Sequence, residues 1–217
     1  MCNKVLKHIL IWLGAIVGLG AIFFLMYFFV WTNPGDTGRV YDIQLHDSDW
    51  KRGSPEAKVV LVEYSDFQCP ACAVYSPIIE QLLKDYPDGI LFVYRHFPLT
   101  QIHKNANLAA YAVEAAGKQG KFWEMYEKVF QNQGAWSGSD KAREIFTQYA
   151  NELVLNTEWF LRDIDSPETK DKVSKDYQSG LLYQIDGTPS FFVNGKKVQN
   201  PAGYEAFKKI IGAEFNK

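Results

Sequence analysis

The chain has 217 residues, 47% of them hydrophobic and 15% aromatic, with a formal charge of −2 at pH 7. That length suits one compact domain plus an accessory segment. Without a strongly basic balance nucleic acid is excluded as an expected partner, and no internal repeat or low-complexity tract is apparent.

The first element is the run ILIWLGAIVGLGAIFFLMYFFVW, Ile9 to Trp31, which carries no charge. A membrane-spanning helix needs roughly 20 apolar residues. Trp12 at one end, with Tyr27 and Trp31 at the other, fits two interfacial belts. The run predicts a single transmembrane anchor over 9–31. Lys4 and Lys7 precede it, whereas the nearest cation beyond it is Arg39, after Asp36. This bias predicts a cytosolic N-terminus over 1–8 and an extracytoplasmic remainder, in the periplasm or at the cell exterior. The alternative is a cleaved signal peptide, whose apolar region is usually about 7–15 residues. Gly18-Leu19-Gly20 offers small residues for cleavage, but the apolar run continues to Val30. Cys2 lies before the run, where a lipid-attachment site would not place it. Residues 32–56 are expected to form a linker and N-terminal extension, beginning with the turn formers Thr32-Asn33-Pro34-Gly35-Asp36-Thr37-Gly38.

The outer domain is expected over 57–217. Lys58 to Tyr64, KVVLVEY, reads as a strand buried on both faces. From Pro70 to about Tyr86 a helix is predicted, with Val74, Ile78 and Leu82 at four-residue spacing. Ile90 to Tyr94 is a second buried strand, which completes a βαβ unit. A helical block over about 100–182 follows. Asn107 to Ala116 is alanine-rich and stops at Gly117, a candidate C-terminal cap. Phe122, Met125, Tyr126, Val129 and Phe130 mark one helix face, and Ile145, Phe146, Tyr149 and Leu153 another. Ser166-Pro167 reads as an N-cap and first helical proline, after which Val173, Tyr177 and Leu181 continue one stripe. Asn194-Gly195 between two β runs predicts a hairpin. A last helix over Pro201 to Phe215 closes an α/β domain that carries a helical insertion.

The chemistry centres on SDFQCPAC, residues 65–72. Pro70 suits the first helical turn, which places Cys69 at the helix N-terminus and Cys72 on the same face. Cys69 then meets unpaired backbone N–H groups and the positive end of the helix dipole, both of which favour a thiolate. A thiolate attacks, and a stabilised one leaves readily. Cys69 is therefore expected to exchange with substrate and the more buried Cys72 to resolve the mixed disulfide. Two other readings stand beside this one. A zinc site needs about four ligands, commonly from paired motifs; the outer domain adds only His46, His96 and His103 to its single cysteine pair, so no metal is expected. A structural disulfide would close a very short loop and constrain little.

Glu63 to Cys72, EYSDFQCPAC, resembles the active-site segment of the DsbA-like thiol–disulfide oxidoreductases, a branch of the thioredoxin fold. Arg95-His96-Phe97-Pro98-Leu99 with His103, and Gly187 to Gly195, GTPSFFVNG, resemble their next segment and their cis-proline strand and hairpin. The resemblance covers roughly Trp50 to the C-terminus. It implies a thioredoxin fold with an inserted helical subdomain and a redox-active centre at Cys69-Pro70-Ala71-Cys72. It further implies that the backbone before Pro189 pairs with the substrate chain, so Thr188 and Pro189 are expected substrate-binding residues. Glu63 is a candidate proton carrier for Cys72, since a buried carboxylate rises in pKa towards neutrality; a strand-end carboxylate reaching water is the alternative. His96, His103, Trp123, Trp136 and Trp159 read as structural. Ala71 departs from the strongly oxidising members that carry a histidine there, which leaves its oxidising power open.

The expected function is an extracytoplasmic disulfide oxidase acting on unfolded or reduced exported proteins, reoxidised by a quinone-coupled membrane oxidase. A monomer is expected, and no cofactor beyond the Cys69–Cys72 disulfide. A reductase or isomerase using the same site, and a membrane-tethered binding module or chaperone, are the alternatives.

Overall fold

The computed structural model describes residues 2–32 and 39–217, and within the first stretch the side chains of His8 and 12–28. The chain divides into two compact units, Met1–Thr37 and Gly38–Lys217.

The first unit is one helix, α1 (Cys2–Thr32). Its described side chains are all exposed. Among the described residues no helix is long and apolar enough to cross a membrane. The stretch 12–28 is by itself shorter than the roughly 20 apolar residues of a span. The ends of the expected anchor, 9–11 and 29–31, have side chains outside the described residues, and the expected linker over 33–38 lies outside them altogether.

The second unit is built on a five-stranded sheet in the order β1-β3-β2-β4-β5. Its centre is the expected βαβ unit: β2 (Val59–Ser65) and β3 (Ile90–His96) run parallel, with α2 (Pro70–Asp85) as the crossover. The register sets Glu63 beside Tyr94 and Ser65 beside His96. Every residue of β3 is buried, which is why its sequence reads as a continuous apolar run rather than an alternation. Alternate residues still separate two apolar clusters. Leu61, Phe92 and Tyr94 pack into one with Phe67, Ile79 and Leu82, while Val62, Tyr64 and Val93 pack into the other with Phe97 and Phe192.

Antiparallel strands flank this centre. β1 (Trp50–Gly53) pairs with β3, β4 (Ser190–Val193) with β2, and β5 (Lys196–Val198) with β4. The β4–β5 turn is the expected Asn194-Gly195, with φ of +49° and +77°. Both residues are therefore left-handed, a conformation open to glycine and tolerated by asparagine. Between β3 and β4 lie α3 (Ala106–Gly117), α4 (Phe122–Gln131), α5 (Gln133–Trp136), α6 (Ala142–Glu152), α7 (Thr157–Asp165) and α8 (Pro167–Leu182). Ser166 caps α8 by accepting the Thr169 N–H. The closing helix is α9 (Tyr204–Phe215). The arrangement is the thioredoxin-like α/β fold with a helical insertion.

Four details differ from the sequence reading. Trp50–Gly53, within the expected extension, is an edge strand, so the folded unit begins well before residue 57. Gly117 ends α3 but does not reverse the chain; the positive φ belongs to Gly120. A Cβ on Gly117 would lie 2.4 Å from the Trp50 ring, so space rather than backbone freedom fixes that glycine. Val74 and Leu181, counted on apolar stripes, are exposed.

Candidate active site

β2 ends at Ser65, and four residues later Cys69 caps α2 with extended backbone, φ −71° and ψ 121°, ahead of Pro70 at the first helical position. The turn between them is held by Asp66. Its buried carboxylate accepts the N–H of Gln68 at 2.7 Å and of Leu99 at 2.8 Å, and lies 2.7 Å from His103 Nδ1. Its carbonyl accepts the Cys69 N–H at 3.0 Å. On the facing side the Thr188–Pro189 peptide bond is cis, and Cys69 Sγ lies 3.3 Å from the Thr188 carbonyl oxygen, to which it donates only in its thiol form. The fold therefore brings Cys69, Cys72, Pro70, Ala71, Thr188 and Pro189 to one place, the end of α2.

Cys69 and Cys72 are free thiols and buried, but unequal. Cys69 is 7% exposed and Cys72 is fully buried. A hydrogen bond from the Cys72 thiol lowers the Cys69 thiol to about 5, against the cost of burial; the backbone N–H groups of Cys72 and Ala71 add to it, as does the nearby Thr188 hydroxyl, although that hydroxyl forms no hydrogen bond of normal geometry. Cys72 moves well up, first from burial, then because its proton is held by Cys69, and then from the nearby Glu63 charge. The pair is thus one thiolate and one retained thiol at neutral pH.

Glu63 lies among this chemistry from below. It is fully buried and neither carboxylate oxygen has a hydrogen-bond partner. Burial pushes its carboxyl up to about 8; the Ser65 hydroxyl is near enough to offset this in part although it forms no hydrogen bond of normal geometry. The hydroxyls of Tyr94 and Tyr126 are likewise buried and unpartnered, and both feel the charges of Glu63 and Cys72. Sequence reasoning does not reach Asp66 or these tyrosines. An aspartate two residues before Gln68 in a helix-entry turn is a local signal for the first. Nothing in the apolar pattern marks the tyrosine hydroxyls.

Among the residues read as structural, His96, Trp136 and Trp123 make internal contacts, whereas Trp159 is 52% exposed and does not pack as expected. His96 Nε2 lies 2.8 Å from Glu114 Oε1, which also accepts Trp50 Nε1–H at 2.7 Å. Trp136 is buried and donates to the Val129 carbonyl at 2.9 Å, and Trp123 packs on Phe122 and Tyr126. Trp159 is exposed beside Arg162. His96, Glu114 and Asp176 present ligand atoms within 4.8 Å of one another. A cation is already there, however: Lys172 Nζ donates to both Asp176 oxygens at 2.7 and 2.6 Å. The cluster neutralises itself and leaves a metal no free ligand set.

Among solved structures, BdbD of Bacillus subtilis in its oxidised form is 26% identical and superposes with a TM-score of 0.72, covering 83% of this chain and 100% of that one. Alpha-DsbA1 of Wolbachia pipientis, 20% identical with a TM-score of 0.72 and covering 80% and 94% of the two chains, shares the fold. A curated relative, Na(+)/H(+) antiporter NhaA 3 of Salinispora tropica, is 37% identical over 169 residues, which are 78% of this chain but only 25% of that protein. The chain therefore spans about a quarter of the length of the curated relatives it matches. The thioredoxin family model Thioredoxin_4 matches residues 46–213, nearly the whole of the second compact unit. With its cysteine pair at the helix end and the cis-proline facing it, the chain belongs to the thioredoxin family.

Proposed function

We propose that this disulfide oxidoreductase works as an oxidase of exported proteins, tethered by α1. The observation that carries the direction is the inequality of the cysteines: Cys69 is lowered to about 5 while Cys72 is raised. A stabilised Cys69 thiolate favours the reduced enzyme, which makes the disulfide form the stronger oxidant.

The cycle begins when a substrate thiolate, paired along the backbone at Thr188 and Pro189, attacks Cys69 Sγ of the Cys69–Cys72 disulfide. The sulfur–sulfur bond breaks, and Cys72 leaves with the electron pair. Glu63, whose carboxyl keeps its proton up to about pH 8, supplies that proton to Cys72. A second substrate thiolate then attacks the substrate's own bridging sulfur and expels Cys69 as a thiolate. The substrate gains a disulfide and the enzyme holds two electrons as a dithiol. In the return step Glu63 takes the Cys72 proton as the disulfide re-forms, with a quinone-coupled membrane oxidase as the acceptor. The protein works as a monomer with its domain outside the membrane. The uncharged run 9–31 supports the anchor; recovery of the full chain in the alkali-washed membrane fraction is the check on that placement.

The test of direction is the equilibrium reduction potential of the full chain against glutathione. A value towards about −120 mV supports the oxidase, whereas one near about −270 mV overturns it in favour of a reductase. Ala71, whose side chain adds no donor for the Cys69 thiolate beyond its backbone N–H, is the observation that keeps the reductase or isomerase in play. A Cys69→Ala variant with full activity would instead leave a binding module or chaperone.

A further inference from the structure

We propose that Gln133, from the helical insertion, is a positioning residue for Cys69. The inference rests on the thiol–disulfide exchange reading above and assigns the insertion a part in it.

Residues 66–69 join the end of β2 to the start of α2. This short segment is neither strand nor helix, so its carbonyls have no ladder to satisfy them. Two of these carbonyls, those of Phe67 and Cys69, accept from the same side-chain amide: Gln133 Nε2 donates to them at 2.8 and 2.9 Å. An amide NH₂ has two donors, and both are used. The Cys69 carbonyl also accepts the Ala73 N–H at 3.2 Å, the first bond of α2. Gln133 therefore ties the residue that starts the helix to the residue two positions before it.

The same loop is gripped again from the insertion. Gln68 reaches the other way, accepting the Asn105 N–H at 2.7 Å and donating to the Ser137 carbonyl at 2.8 Å. Asn105 in turn donates to the carbonyls of Trp136, Ser137 and Ser139. Residues 133–139 thus hold the active-site loop through side-chain amides. They are anchored by Trp136, which is fully buried. The insertion is a clamp as well as a cover.

What the clamp sets is the position of one sulfur. Cys69 Sγ lies under the N–H groups of Ala71 and Cys72 and 3.3 Å from the Thr188 carbonyl only while Cys69 keeps its extended backbone. Rotation of the Phe67–Cys69 peptides would move the sulfur off those donors. The carbonyl of Cys69 is also the negative end of a dipole close to the thiolate. A donor bound to that oxygen offsets part of its field, and in a buried site such an offset counts for more than in water.

The experiment is thiolate absorbance at 240 nm against pH on the full reduced chain, with the glutathione equilibrium and the melting temperature measured alongside. Gln133→Leu keeps the size and removes both donors; the expected result is an acid dissociation constant of Cys69 about tenfold smaller, with the equilibrium against glutathione shifted about tenfold towards the disulfide. Gln133→Glu keeps the shape and adds a carboxylate, and is expected to shift both further in the same direction. Gln133→Ser, which removes both donors and buries no apolar group against the loop carbonyls, serves should the others fail to fold, and is expected to move both in that direction. A lowered melting temperature with the Cys69 titration and glutathione equilibrium unchanged in a folded variant overturns the proposal and leaves Gln133 a packing residue. A wild-type chain with no thiolate signal and no reversible couple fails the functional reading itself, which is a different outcome from an unaltered variant of an active chain.

Discussion

Two buried carboxylates of this molecule have opposite fates. Glu63, on β2, is fully buried, has no hydrogen-bond partner, and is raised to about 8. Glu114, on α3, is nearly as buried, yet ends below its ordinary value: burial pushes it up, but His96, Lys172 and the Trp50 indole outweigh that push. The regions are neighbours on the sheet, since Glu63 pairs with Tyr94 and Ser65, two residues on, with His96, the partner of Glu114. The difference teaches that burial sets the cost of a charge while donors decide its sign. A carboxylate supplied with donors is a strut that stays ionised. One denied them keeps its proton to neutral pH, which is what the proton transfer proposed for Cys72 requires.

The largest break in this comparison comes at Glu63. Glu63→Gln keeps the shape and removes the titrating group, and is expected to slow both formation and release of the Cys72 thiolate about 100-fold, the ordinary scale of general acid–base catalysis. Stopped-flow tryptophan fluorescence during reduction and reoxidation by a model dithiol would measure it. A variant within threefold of wild type would make Glu63 a bystander.

The second effect is on stability and its dependence on pH. Glu63 has a folded value near 8 against an ordinary 4.5, so between those limits the unfolded chain has lost a proton that the folded chain keeps. Stability from this group therefore falls as pH rises from about 4.5 to 8, by about 2–3 kcal/mol between pH 5 and pH 7. Cys69 contributes the opposite sign: lowered to about 5 when folded, it adds stability to the reduced protein as pH rises above that value. The two are separated by urea unfolding of reduced wild type and Glu63→Gln at each pH, because the Cys69 contribution, apart from its coupling to Glu63, is common to both proteins. That difference should grow in favour of the variant as pH rises towards 8; a difference constant with pH would contradict the raised value.

Glu114 sharpens the other side. Glu114→Gln removes the carboxylate that His96 Nε2 and Trp50 Nε1–H pair with and leaves buried groups mismatched, at a cost of about 2 kcal/mol in denaturant unfolding. Thiol exchange should stay within about threefold of wild type. A large loss of exchange with little loss of stability would put Glu114 in the chemistry and dissolve the contrast with Glu63.

What the sequence disclosed follows the same division between pattern and partnership. The βαβ unit, the Asn194-Gly195 hairpin and the Ser166-Pro167 helix start were legible because each depends on residues adjacent in the chain. The cysteine pair was legible for the same reason, Pro70 being enough to set Cys69 at the helix end. β1 was not: Trp-Lys-Arg-Gly is too short and polar to read as a strand, and only pairing with β3 makes it one. Gly117 was noticed for the wrong cause, since what confines it is a tryptophan ring 67 positions earlier in the chain. The difference between Glu63 and Glu114 is of this second kind. Each is one acidic letter in an apolar context, and their partners come from other elements.

The smallest expected effect tests whether a near-donor matters at all. Ser65 follows Glu63 on the same face of β2, and its buried hydroxyl has no hydrogen-bond partner, yet lies close enough to hold the Glu63 carboxyl somewhat below where burial alone would put it. Ser65→Ala removes that influence together with an unsatisfied polar atom, so the two consequences for stability oppose each other and the net change should stay within about 1 kcal/mol. The titration should nevertheless move in one direction: Glu63 rises further, seen by carboxyl infrared absorption in the reduced protein. A downward movement would mean that Ser65 keeps better donors out, which would place the cause of Glu63's raised value in one hydroxyl rather than in burial.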